Sequence, residues 1–352
     1  MSEPETQGGP ANREPAWWQE FDWRGLLQTL GPVIALVVIF LLFAAKVPES
    51  FLTTRNIETI LRQTAIVGIG ALGMTLIIIM GGIDLSAGSI VALSTVVIAG
   101  LLQWSGGEGQ TWLSTWPVLW PLLAACAGVL AGAACGLANG ILITQLRVVP
   151  FIVTLGTLLV MRGGGKGLAH EQKIDAPASW LRMILASLDE NTAWMVFPPG
   201  VWLMLVLALL AAGLLHYTRL GRHIFAIGSN EQTARLCGVG VERVKVTVYG
   251  LGAACAGLAG VMQFSRLTVG DPTVAVGLEL DIIAAVVIGG GSLSGGEGSV
   301  LGTLVGALIM TTIRAGCSHM GVSNWIQEIL TGAIIVLAVA VDQLRRRSRR
   351  AA

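Results

Sequence analysis

Charge is scarce in this chain. Asp, Glu, Lys and Arg make up 12% of its 352 residues, where soluble domains carry about a quarter. Hydrophobic residues are 54% and mean hydropathy is +0.74, which excludes an ordinary soluble globular domain. Histidine is rarer still: His170, His216, His223 and His319 are scattered, and no nucleophile–base or metal constellation forms around them. No two of the five cysteines form a C-x-x-C pair, so Cys126, Cys135, Cys255 and Cys317, in or beside apolar runs, read with Cys237 as small packing residues. A phosphate loop is missing too. Gly163-Gly164-Gly165-Lys166-Gly167 has a lysine among glycines, but no Ser or Thr follows Lys166 and the upstream glycine spacing is wrong. The chain is therefore expected not to be an enzyme and to bind no cofactor or metal of its own. A net charge of +1 points to no nucleic-acid partner.

What is abundant is hydrocarbon-soluble sequence. Apolar runs of membrane-spanning character cover 26–45, 64–81, 86–103, 117–143, 149–162, 199–217, 246–265, 281–292, 297–314 and 325–342. The expected fold is all-α, a polytopic transmembrane bundle of about ten spans. Two runs, 149–162 and 281–292, are too short to cross a ~30 Å core as straight helices, and read as half-helices or as segments that borrow flanking residues. Residues 1–25 read as a disordered cytoplasmic arm with an uncleaved first span behind it, 26–342 as the membrane domain, and 343–352 as a basic tail. Arg219, Arg222, Arg235, Arg243 and Lys245 concentrate positive charge in 218–245, and five arginines do so in the tail, while 104–116 has no basic residue. By the positive-inside bias, both termini and 218–245 are expected in the cytoplasm, and 104–116 and 163–198 outside.

The run Gly81-Gly82-Ile83-Asp84-Leu85-Ser86-Ala87-Gly88-Ser89 interrupts this apolar sequence. Backbone that leaves the helix at membrane depth strands N–H and C=O groups unless protein or a water path covers it. Asp84 or Ser86 is placed to cap a helix restarting at about Ala87. The break reads either as part of a translocation path or as a tight helix hairpin. Gly289-Gly290-Gly291-Ser292-Leu293-Ser294 echoes Gly81 to Ser86, again between two apolar runs. If the echo is genuine, the halves, roughly 50–162 and 246–342, appose their breaks near the midplane, a transporter-like design. Asp84, Glu279, Asp281, Glu297, Arg314 and Glu328 lie in or next to apolar runs, where charge needs a partner or a cavity. Glu279 and Asp281 also fit as first-turn acids of the 281–292 segment.

Between Ala226 and Val239 a short helix is expected, with Ser229 and Gln232 as a capping box and Gly238 as its left-handed stop. It reads as a docking element or as a linker lying on the membrane.

Three stretches together resemble the permease subunit of ribose-type ABC importers. They are Gly81-Gly82-Ile83-Asp84-Leu85-Ser86 with Gly88-Ser89; Gly221-Arg222 through Ala226-Ile227-Gly228, Asn230-Glu231, Ala234 and Gly238; and Ala284 to Gly290 with Ser292-Leu293 and Gly295-Gly296. The resemblance runs from about residue 50 to 342 in the family's order. It implies a bacterial inner-membrane chain that forms the path for a small sugar. A second permease copy, a separate ATPase that uses the ATP, a periplasmic sugar-binding protein and membrane lipid would be its partners. It also implies that Ser229, Glu231, Gln232, Ala234 and Gly238 belong to the helix that couples to the ATPase. Gln232 and Thr233 stand where the wider importer pattern has alanines. Another cargo (an autoinducer, nucleoside or branched-chain amino acid) and a stand-alone secondary transporter are the rival readings.

Overall fold

The computed structural model describes residues 23–106, 112–188 and 192–351; most of the expected arm, Trp17 and Trp18, Asp189, Glu190 and part of the 104–116 loop lie outside the described residues. Its helices, in order, are α1 (Trp23–Lys46), α2 (Pro48–Phe51), α3 (Thr54–Ile79), α4 (Ala87–Gly106), α5 (Trp112–Thr115), α6 (Leu119–Leu146), α7 (Pro150–Leu168), α8 (Pro199–Tyr217), α9 (Arg219–Ser229), α10 (Glu231–Leu236), α11 (Val241–Leu267), α12 (Leu278–Ile288), α13 (Val300–His319) and α14 (Asn324–Ala351). Each of the ten expected runs corresponds to one helix, so the chain is an all-α membrane bundle. Among the described residues, seven helices are long and apolar enough to cross a bilayer by themselves.

The two doubtful runs resolve differently. The run at 149–162 borrows flanking residues: α7 continues helical through the glycines to Leu168. The run at 281–292 stays short, because Gly277 (φ +80°) precedes α12 and Gly290 (φ +92°) follows it. Its 11 residues rise only about 16 Å, a half-crossing. α14 continues helical through the basic tail to Ala351.

α3 is almost wholly inside the bundle, and α11 lies along α3, α4 and α6. The α6–α11 seam is backbone against backbone. Gly132, Gly136 and Gly140 recur every fourth residue and face Ala253, Tyr249 and Val246 in turn, which fixes the two helices as antiparallel. A methyl on Gly136 would overlap the Tyr249 carbonyl. Without a hydrophobic drive in lipid, such close approach and interhelical hydrogen bonds hold helices together. Thr64–Thr311 (2.7 Å) and Thr75–Thr303 (2.8 Å) supply two of these bonds between α3 and α13.

The contacts also sort the bundle's ends. Asn56 bonds His319 at 2.8 Å, bringing the start of α3 to the end of α13, while Phe43 near the end of α1 packs on Phe51. At that end strands β1 (Ile174–Asp175) and β2 (Val269–Gly270) pair antiparallel, and Lys173 reaches Asp271 at 3.1 Å. The opposite end carries α9, α10 and the C-terminal part of α14, whose Asp342 meets Ser292. α1 ends at the first of these ends, so its start lies at the second. The described chain thus begins and finishes at the α9 end.

Candidate functional site

Both breaks are built by one device. α3 closes with Gly81 N–H donating to Ile78 O and Gly82 N–H to Ile77 O, each at 2.9 Å, with Gly81 left-handed at φ +86°. α12 closes with Gly290 N–H on Val287 O (3.0 Å) and Gly291 N–H on Val286 O (2.8 Å), with Gly290 left-handed. These are Schellman closures, which use glycine where the left-handed residue would otherwise clash with its own Cβ. The internal echo is thereby structural, but its register moves by one residue: Gly81 matches Gly290, not Gly289. Gly82 is needed for space instead, since a methyl there would stand 2.5 Å from the Tyr249 hydroxyl.

Protein covers the first break. Ile83 O accepts from the Tyr249 hydroxyl and from Thr154 Oγ1, both at 3.3 Å. Asp84 is buried at 1% exposure, and its Oδ1 accepts from Ser86 N–H (2.8 Å) and Ser86 Oγ (2.5 Å). Asn139 Nδ2 donates to Ser86 Oγ at 2.9 Å. α4 starts at Ala87 as expected, but Asp84 bonds Ser86 ahead of the helix rather than an N–H of its first turn. In the second break Ser292 is buried, donates from its N–H to Glu297 O (3.0 Å) and from Oγ to Asp342 Oδ2 (2.8 Å), while Ser294 is exposed. Ser299 caps α13 by accepting from Gly302 N–H at 2.9 Å.

The breaks meet, as the echo predicts: Gly296 N–H donates to Ile79 O at 2.8 Å. They meet at the α9 end of the bundle rather than near its middle. The reason is length, because α3 completes 26 residues, about 39 Å, before Gly81 stops it.

The 218–245 segment forms two helices where one was expected. Thr218 caps α9 by accepting from Gly221 N–H (3.1 Å). Ser229 is the last residue of α9 and caps nothing. Asn230, extended at φ −159°, caps α10 by accepting from Thr233 N–H at 2.9 Å, so the Ser229–Gln232 capping box is replaced by an Asn230 cap. Gly238 ends α10 at φ +82° as expected, with Gly238 N–H on Arg235 O and Val239 N–H on Ala234 O. Glu231, Gln232 and Gly238 are exposed and Ala234 is buried. Glu231 pairs with Lys245 at 2.8 Å, and Arg235 pairs with Glu242 at 2.5 Å, fastening α10 to the start of α11. The Glu242 hydrogen bond and charge push the Arg235 guanidinium further above its usual value.

Deeper charges are partnered within the bundle. Arg314 pairs with buried Asp281 at 2.6 Å, and Arg162 donates to Val274 O at 2.6 Å. Glu279 and Asp281 occupy the first turn of α12, as expected. At the opposite end, burial raises the Asp271 carboxyl, but hydrogen bonds from Thr273 and Lys173 outweigh it and hold the group below its ordinary value.

Tyr249, Asn139, Thr154, Asn230 and Asp342 escaped sequence reasoning. Asn139 alone gave a signal, as an amide inside a long apolar run. Tyr249, Thr154 and Asp342 depend on which helices become neighbours, whereas the Asn230 cap is local, accepting from the Thr233 N–H three residues on.

Residues 56–339 match the family described as "Branched-chain amino acid transport system / permease component". The chain is 40% identical over 327 residues to the ribose import permease protein RbsC of Bacillus subtilis, covering 91% of this chain and 94% of that one. It is 38% identical over 314 residues to the RbsC of Escherichia coli K12, covering 89% and 93%. It is also 35% identical over 355 residues to the L-arabinose ABC transporter permease protein AraH of Azospirillum brasilense, covering 99% and 95%. No solved structure matches.

Proposed function

The chain belongs to the branched-chain amino acid transport system permease family, and on that premise we propose that it is the membrane subunit of an ATP-driven importer of a monosaccharide. It is a transport component, not an enzyme. The observation that carries the sugar reading is the 34–40% identity, over most of the chain, to permeases named for ribose, alongside others named for arabinose and fructose. The family's description favours a second reading in which the cargo is a branched-chain amino acid.

Two copies of the chain enclose the path, with both termini and α9–α10 in the cytoplasm and β1–β2 facing a periplasmic sugar-binding protein. The arginine-rich composition of 218–245 and its position at the same end as the first and last described residues support that orientation. α10 is the element that contacts the separate ATPase. Its short length, firm caps and ion pairs to α11 suit a part that must move as a rigid piece. Glu231, Gln232 and Gly238 present its exposed face, while Ser229 joins it to α9. Gly81, Gly82, Asp84, Ser86, Gly289, Gly290, Ser292 and Ser294 form the two breaks, which shape the cytoplasmic side of the path.

Uptake of radiolabelled ribose, arabinose, fructose and leucine in cells lacking and then re-expressing this chain tests the cargo. Loss and recovery of one sugar alone is the expected result. Loss of leucine uptake alone moves the assignment to an amino acid. Uptake by the lone chain in ATP-free liposomes would make it a secondary transporter.

A further inference from the structure

Gly228, in the last turn of α9, touches the backbone of both breaks at once. A methyl group on it would overlap the Ile79 carbonyl oxygen and stand 2.6 Å from the Gly296 nitrogen. Those two atoms are hydrogen-bonded to each other at 2.8 Å. From the other side, a methyl on Gly295 would stand 2.7 Å from Gly228 O and 3.0 Å from Gly81 Cα. Three segments remote in sequence therefore converge main chain to main chain, with no side chain between them. Ile79 is the last residue of α3, and its carbonyl is among those a helix leaves without an internal donor. The donor it finds belongs to the other half of the chain.

Such a contact transmits displacement well. A side chain absorbs movement by changing rotamer, whereas close-packed backbone atoms have no such freedom. α9 is held at its start by the tight α8–α9 turn, where Gly221 lies against the Leu214 and Leu215 carbonyls. At its other end a single residue, Asn230, separates it from α10. A push on α10 thus reaches Gly228 with few joints in between.

We propose that Gly228, Ile79 and Gly296 form a joint that carries movement of α9–α10 to both breaks, with the Ile79–Gly296 hydrogen bond as the latch that this movement opens. Gly228 is a positioning residue in this scheme and touches no solute. The inference rests on α10 as the ATPase contact.

The test uses the full transporter, this chain with its ATPase and binding protein, in proteoliposomes. Gly228→Ala is compared with Gly213→Ala, a glycine in α8 with nothing near its Cβ position. In Gly228→Ala the ATPase subunit should remain bound at wild-type stoichiometry, while solute imported per ATP hydrolysed falls at least about five-fold. Gly213→Ala should match wild type. Unchanged import per ATP in Gly228→Ala, an equal fall in Gly213→Ala, or loss of the ATPase from Gly228→Ala would each overturn the joint. Should Gly228→Ala fail to insert, hydrogen exchange on the wild-type transporter decides. The Gly296 amide should exchange faster in the ATP-bound than in the nucleotide-free complex, and equal rates would sink the latch. Failure of the wild-type chain to capture an ATPase would defeat the functional reading instead, and is distinct from intact capture with unchanged coupling.

Discussion

Replacing Asp84 separates the role of its oxygen from the role of its charge. Asp84 is 1% exposed, and one oxygen accepts both bonds from Ser86. Alanine deletes that acceptor. The Ser86 hydroxyl still accepts from Asn139, but the Ser86 N–H faces an empty space. A buried donor left unsatisfied costs about 1–3 kcal/mol, while a side-chain hydrogen bond inside a membrane protein averages about 0.6 kcal/mol. Asp84→Ala should therefore destabilise the break by about 2 kcal/mol. The loss stays local, because α3 and α4 keep their own hydrogen bonds and packing. Asp84→Asn retains an acceptor oxygen in the same place, so a smaller loss, about 1 kcal/mol, is expected. Three measurements follow from this: membrane abundance by immunoblot, thermal midpoint in detergent, and solute uptake. Abundance should stay near wild type for both variants. Midpoint and uptake should fall in the order wild type, Asn, Ala, with the alanine variant strongly impaired in uptake. Wild-type uptake by Asp84→Ala would reduce the break to an ordinary turn. Equal damage by the two variants would show that the charge, and not the acceptor geometry, is what matters.

Gly136→Val should prevent stable assembly, since its side chain would enter the Tyr249 carbonyl across the α6–α11 seam; normal membrane abundance of this variant would contradict the packing. Glu231→Lys turns the attraction to Lys245 and Arg235 into repulsion. For these partly exposed pairs it should change stability by less than about 1 kcal/mol while ATPase co-purification and uptake fall together, and retention of both would make α10 a linker. With exposed Cys126 and Cys237 replaced by serine, cysteines introduced at Gln172 and Gln232 should be labelled from outside intact cells at 172 alone; labelling at 232 would invert the orientation. The Asp271 carboxyl is held low in the folded chain, so its pairing with Lys173 and Thr273 contributes stability above the ordinary carboxylate range, and that contribution is lost as pH falls through the lower folded value. Protease cleavage within 163–198 should accordingly rise below about pH 4, and a pH-independent rate would exclude this tie.

Fold class, the helices and the places where they stop follow from local rules. Twenty apolar residues in a row must find hydrocarbon, and a glycine after such a run can close the helix in left-handed backbone, although α7 runs on through its glycines to Leu168. Hence all ten runs became helices, Gly81 and Gly238 took left-handed backbone, and α4 began at Ala87. Cap identity and echo register were each one residue from expectation, Asn230 for Ser229 and Gly290 for Gly289. Several residues in each stretch are chemically able to serve, and only the path of the neighbouring helix chooses among them. That the two breaks meet was legible in the echo, but which other residues reach them was not. Tyr249 and Thr154 reach Ile83, Asp342 reaches Ser292, and Gly228 presses on Ile79 and Gly296, each across scores of residues in sequence. Helix–helix packing in lipid is decided by small-residue fit and hydrogen bonding rather than by hydrophobicity. Apolar composition therefore marks a helix as membrane-bound without naming its neighbour, and the meeting of the two breaks with α9 exists only once α3, α11 and α12 have taken their places around one another.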